Sequence, residues 1–176
     1  DLDGKPALIL QKQIKGYRNY DPAESQQMAI TASILREFYH LALSPLDKAS
    51  CKLFIGAFFF AMRSCEYLKV SGYRKTKILT MANIRFFKKK RLLPHSAPRL
   101  HLADTVSITF EHQKRDVKHD TITHHRSHDP LLCPVKIWSK IIKRLHSYSS
   151  TTPTTTVNTY KMPEGKLHLF TGPETL

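Results

Sequence analysis

The chain has 176 residues, 41% of them hydrophobic, enough for one ordinary core or one core with a short arm. No apolar run approaches the roughly 18 residues of a membrane span, so none is expected; the longest, Leu53 to Met62, is broken only by Gly56 and reads as a buried helix. Lys and Arg number 28 against 14 Asp and Glu, a formal net charge of +14, which points to a polyanionic partner, nucleic acid first and a membrane surface a distant second.

Cys51, Cys65 and Cys133 are odd in number and widely spaced, with no CxxC pair. Neither a disulfide framework nor a zinc knuckle is supported, and an intracellular, reducing compartment is the default expectation. Cys51 and Cys65 fall among apolar residues and read as buried thiols. The chain starts at Asp1 without a basic-then-apolar leader and ends shortly after Phe170-Thr171-Gly172-Pro173, so it reads as a piece of something longer.

Residues 1–30 are polar and irregular, with Leu8 to Gly16 as the last turns of a preceding helix and the rest as linker. Thr31 is a good N-cap, and Ile34, Leu35, Phe38, Leu41 and Ala42 follow at helical spacing. Ser44-Pro45 starts a second helix, apolar nearly all round, that runs to about Met62 and belongs at the centre of the core. Arg63-Ser64-Cys65-Glu66 follows, then a short helical or turn segment that ends at Ser71-Gly72. From Ser71 to Ala103 there are nine Lys or Arg and no acid. Within that stretch Ile78 to Phe87 reads as a strand and Lys88-Lys89-Lys90-Arg91 as an exposed loop. Val106 to Phe110 alternates strictly and is the clearest strand. Glu111 to Lys118 is a charged turn, and His119 to His124 returns with Thr121 and Thr123 facing one way. The two strands make a hairpin with Lys114 near its tip. Pro134 to Leu145 is an amphipathic helix, and Ser147 to Thr156 is Ser/Thr-rich and reads as flexible. Strands gathered among helices indicate an α+β domain, mainly helical, with a small three-stranded antiparallel sheet.

Three groups of residues can carry chemistry. Arg63 closes a very apolar helix, and Glu66, three residues on, can reach back to it. That spacing suits a structural ion pair and equally suits a phosphate-binding arginine held by a carboxylate. Lys114 on the hairpin suits either a solvated turn or a cation entering a DNA groove, where it can donate a proton to a leaving oxygen. His112, His119, His124, His125 and His128, with Cys133 nearby, raise a metal site, but no helical acid-plus-His motif accompanies them, so solvated or phosphate-facing histidines are preferred and no metal is expected. The string His112-Gln113-Lys114-Arg115 lies on the hairpin and is treated as a coincidental His-x-x-Arg. There is no glycine-rich phosphate loop and no Gly-x-Ser-x-Gly elbow, which argues against a nucleotide hydrolase or a serine hydrolase.

The string Phe54 to Leu68, with Arg63-Ser64-Cys65-Glu66-Tyr67 at its end, resembles the first arginine box of tyrosine recombinases, the phage-integrase-like enzymes. Phe110-Glu111-His112-Gln113-Lys114-Arg115-Asp116 looks like that family's hairpin lysine segment, and Leu132-Cys133-Pro134-Val135 like the start of the next helix. The phrasing is similar to crypton-like eukaryotic transposon members, over roughly residues 28–145.

The resemblance implies metal-free phosphoryl transfer, in which a tyrosine attacks a DNA phosphate to form a 3′-phosphotyrosyl bond and arginines stabilise the phosphate charge. Arg63 matches the first arginine, Glu66 its acidic buttress and Lys114 the lysine that protonates the departing 5′-oxygen. The second box, His-x-x-Arg at a helix start, and the nucleophile are missing; Tyr148 and Tyr160 lie upstream of where that box belongs. The expectation is therefore a partial catalytic domain over residues 28–176, incomplete at its C-terminal end and inactive in cleavage as it stands. Residues 1–27 read as the exit from a DNA-clamping helical domain. The partner is double-stranded DNA, contacted by Lys75, Lys77, Lys88, Lys89, Lys90, Arg91, Arg115 and Lys118, with self-association as a dimer or tetramer on DNA in the complete protein. No cofactor and no membrane are expected, and a eukaryotic member is expected in the nucleus. The rival reading is a non-catalytic, domesticated DNA-binding module.

Overall fold

Thr31 starts the first helix: its hydroxyl accepts the N–H of Ile34 at 3.4 Å, filling one of the donors a helix start leaves open. The computed structural model describes residues 29–70, 77–112, 118–148 and 151–171, and those from Thr31 onward belong to one compact unit. Helix α1 spans Ala32–Leu41. Of its expected apolar face only Leu35 is buried, while Ile34, Phe38 and Leu41 are 50%, 48% and 68% exposed. Periodicity marked the stripe correctly, but Leu35 alone of these is fully covered, while Phe38 only leans its ring on Phe54 of the next helix, centroids 5.5 Å apart. Arg36 ties α1 to Asp129, whose other oxygen accepts the N–H groups of Leu131 and Leu132 at 2.8 and 2.7 Å.

Helix α2 spans Pro45–Phe59. Ser44 and Asp47 form a reciprocal capping box, each side chain accepting the other's backbone N–H at 3.0 Å. The expected end at Met62 falls back to Phe59 because the chain turns into the left-handed region at Ala61, φ 48°. There the Met62 N–H reaches Ala57 O at 3.0 Å and the Ala61 N–H reaches Phe58 O at 3.1 Å, a Schellman ending built on alanine where glycine is usual. The short helix α3, Ser64–Tyr67, follows at once.

The sheet has four antiparallel strands in the order β2-β1-β3-β4, not three. They are β1 Ile84–Lys88, β2 Arg91–Leu93, β3 Thr105–His112 and β4 Lys118–His125. The strand expected from Ile78 starts only at Ile84, because Thr80 and Asn83 close a 3-10 turn over Met81–Asn83. The expected Lys88–Arg91 loop is a two-residue hairpin turn, with Lys88 paired to Arg91 and both Lys89 and Lys90 at positive φ. This is the pattern of a type I′ turn, whose twist matches that of the strands. Glycine usually marks such turns, and its absence hid this one.

Strand alternation sends Ile84, Phe86, Val106, Ile108 and Phe110 into the core. The opposite face carries hydroxyls: Ser107 bonds Thr123 at 2.7 Å and Thr109 bonds Thr121 at 2.9 Å, as the common direction of Thr121 and Thr123 predicts. Helix α4, Pro134–His146, lies against α2, β3 and β4 and buries Val135, Ile137, Trp138, Ile141, Ile142 and Leu145. Truncating one such side chain to alanine costs about 2–5 kcal/mol.

The segment expected to be flexible is tied down where it is described. Pro153 O and Thr155 O accept the N–H groups of Ala82 and Met81, and Val157 N–H donates to Leu79 O. Its threonines also bond one another and their own backbone, as between the Thr152 N–H and Thr155 Oγ1 at 2.8 Å. Beyond it β5, Thr159–Lys161, pairs with β6, Leu167–Leu169, which places Tyr160 in a strand. Phe170 O accepts the N–H of Lys69 at 3.0 Å, which ties this hairpin to the α3 segment.

Candidate functional site

Arg63 sits where α2 has ended and α3 begins, as the residue capping α3. The Schellman turn at Ala61 reverses the chain out of the core and sets Arg63 on the next helix start. Glu66 is 4% exposed, and its Oε2 accepts the Arg63 backbone N–H at 2.9 Å. Its Oε1 lies 3.5 Å from Arg63 Nη1, at the long limit for such a contact. The Glu66 carbonyl accepts the Leu79 N–H at 2.9 Å, which fixes it to the chain entering the 3-10 turn. The Arg63 side chain is 50% exposed. A buried carboxylate therefore holds the arginine's backbone firmly and its guanidinium loosely, leaving most of the five N–H donors for a solvent-side anion.

The other expected DNA contacts separate into groups. Lys77 pairs with Glu111 at 3.2 Å, and Asn83 donates to the same carboxylate at 3.2 Å. Lys77 is thus engaged on the sheet, though an exposed pair of this kind exchanges readily with other anions. Lys88, Lys89, Lys90 and Arg91 are exposed on and around the β1–β2 turn. Lys75, Lys114 and Arg115 lie outside the described residues, and Lys118 is described only as the first residue of β4. Among the described residues no hydrogen bond or ion pair joins Arg63 to any of these cations.

Among the described residues the histidines do not converge, and the His112 side chain lies outside that description. The His124 ring stands edge-on to Phe60 with centroids 4.6 Å apart, while His119, His125 and His128 are exposed. Cys133 is buried, as are Cys51 and Cys65. Among the described residues no group of three His, Cys, Asp or Glu is placed to hold a metal ion, and no helix is long and apolar enough to cross a membrane.

A second cationic group escaped the sequence reading. Lys52 on α2 feels the charges of Lys48 on its own helix and of Lys140 and Arg144 on α4. Burial pushes the Lys52 ammonium below its ordinary range, and the charges of Lys140, Arg144 and Lys48 push it further. Arg144 is anchored by the carbonyl of Thr159 at 2.8 Å and the Tyr148 hydroxyl at 3.2 Å. The available signal was two i,i+4 like-charge pairs, each on one helix face; only the packing of α2 on α4 joins them.

No family model, no curated protein and no solved structure matches this chain.

Proposed function

We propose that this chain is a DNA-binding part of a tyrosine-recombinase-type catalytic domain, in which Arg63 receives a DNA phosphate and Glu66 positions it. The observation that carries the reading is the presentation of Arg63. A half-exposed guanidinium stands on a backbone locked by a buried carboxylate, at the end of a helix seated in the core. A backbone fixed in this way places the guanidinium at one spot on the surface, so less has to be ordered when a phosphate arrives. The net charge of +14 adds a long-range attraction for duplex DNA.

The test is fluorescence anisotropy with a labelled duplex across a salt series. A protein that neutralises several phosphates loses on the order of 10³ in affinity between 50 and 200 mM salt. An affinity flat over that range overturns the reading. In a chain that also carries a His-x-x-Arg box and a downstream tyrosine, Arg63→Ala abolishes strand cleavage while leaving binding largely intact. Full cleavage by that variant removes Arg63 from the active site.

A further inference from the structure

The outward face of the sheet holds an open groove of about 430 Å³ beside the β1–β2 turn. Lys89 and Lys90 line it on one side, His125 and the bonded Ser107–Thr123 hydroxyl pair on the other. Three observations set this groove apart from a merely solvated charged surface.

The first is backbone geometry. Lys89 and Lys90 have φ of 48° and 62°, the left-handed region that a side chain with a Cβ enters only against a steric penalty. A type I′ turn is best served by Asn-Gly, so two lysines at these positions oppose local preference. Outliers of this sort gather at functional sites, where surrounding contacts hold them.

The second is that such contacts exist. Asp104 clamps the turn: its carboxylate accepts the Lys89 N–H at 2.7 Å and its own N–H donates to Phe87 O at 2.8 Å. Its carbonyl accepts the Arg126 N–H at 2.7 Å, binding the start of β3 to the end of β4. Asp104 is also the one carboxylate lining the groove. One of its oxygens is engaged by the turn, and its single charge stands against two ammonium groups.

The third is chemical composition. Cations on one wall and hydroxyls with an imidazole on the other match a phosphodiester, which needs charge neutralisation and several donors at once.

We propose that this groove is a phosphate subsite for the backbone of a DNA strand, separate from Arg63. The choice of DNA as ligand rests on the proposed function; the phosphate chemistry rests on the groove alone. The two are therefore tested in separate arms.

In the first arm the wild-type protein, followed by amide NMR, is titrated with inorganic pyrophosphate. The Ser107, Thr123 and His125 amides shift. Absence of shifts at these positions overturns the groove, whatever DNA does. In the second arm the double variant Lys89→Asn with Lys90→Gly is compared with wild type in duplex binding. This pair suits the turn better, so the variant folds, and its Tm rises by roughly 2–4 °C. Its affinity for DNA falls on the order of tenfold and its log–log salt slope shrinks by about 2. Unchanged affinity and slope overturn the subsite. If wild type binds no duplex at all, the proposed function fails with the DNA assignment, and the pyrophosphate arm alone decides the groove.

Discussion

Glu66 grips the backbone of Arg63 more tightly than its side chain: the carboxylate oxygen sits 2.9 Å from the Arg63 backbone nitrogen and its partner oxygen 3.5 Å from Nη1. The sequence pattern suggests an ion pair, but the geometry is first of all that of a helix cap. A cap needs an acceptor oxygen, whereas an ion pair needs a charge, and substitution separates the two. Glu66→Gln keeps an oxygen for the Arg63 N–H and leaves the unfolding midpoint nearly unchanged. Glu66→Ala removes the acceptor from a buried position and costs about 1–2 kcal/mol. Urea unfolding of both variants checks this; equal destabilisation by Gln and Ala shows that the charge is what matters.

At Gly56, α2 packs directly against α4. A Cβ there lies 3.1 Å from Cε2 of Trp138 and 3.3 Å from Cγ2 of Ile137, while the indole N–H donates to the Gly56 carbonyl at 3.3 Å. Alanine gains about 1 kcal/mol in helix propensity at such a site. It also wedges apart a fully packed contact, at about 1–3 kcal/mol. Gly56→Ala is therefore a net loss of about 1 kcal/mol, read by denaturant unfolding. Trp138 is the single tryptophan, so its fluorescence reports the displaced contact directly. An unchanged emission maximum with raised stability contradicts this.

Lys52 stands among like charges and partly out of water. Its folded pKa lies below its unfolded value, so the folded state disfavours the charged form. That penalty is present while the lysine is protonated and fades as pH rises through the folded pKa. Lys52→Met keeps the alkyl packing and removes the penalty. It raises stability by roughly 0.3–1 kcal/mol, a small figure because water still screens the group. The gain is larger at pH 7 than at pH 10. A variant less stable than wild type at pH 7 overturns the account.

Asp129 titrates at about 2, held down first by the N–H of Leu132, then by that of Leu131, and then by Arg36. A depressed carboxylate stabilises the fold fully above its unfolded pKa, ordinarily 3.8, and that contribution is lost as pH falls toward about 2. A carboxyl carbon titration followed by NMR should place the Asp129 midpoint near 2. Asp129→Asn should flatten the dependence of the unfolding midpoint between pH 4 and 2. A midpoint near 3.8 shows that the loop and α1 are not joined through this side chain.

Some of the candidate site was legible in order but not in arrangement. Arg63-x-x-Glu66 is local, and three residues of helix bring the pair together whatever the rest of the chain does. The basic run from Ser71 to Ala103 was visible as composition. That Lys77 pairs with Glu111, while Lys89 and Lys90 face Ser107, Thr123 and His125, depends on strands far apart in sequence. Like charges on Lys52 and Lys140 meet for the same reason, through two helices packed at Gly56.

Thr31, the Ser44–Asp47 box, the β3 alternation and the apolar stripe of α4 were all determined by the sequence alone, because caps and periodic burial are short-range effects. The tertiary structure decided the rest. It chose which row of the α1 stripe to cover, turned Lys88–Arg91 into a hairpin without glycine, and gave Thr155 and Pro153 partners at Met81 and Ala82. Each outcome depends on a backbone group or surface supplied from elsewhere in the chain, and no local preference encodes where that partner will be.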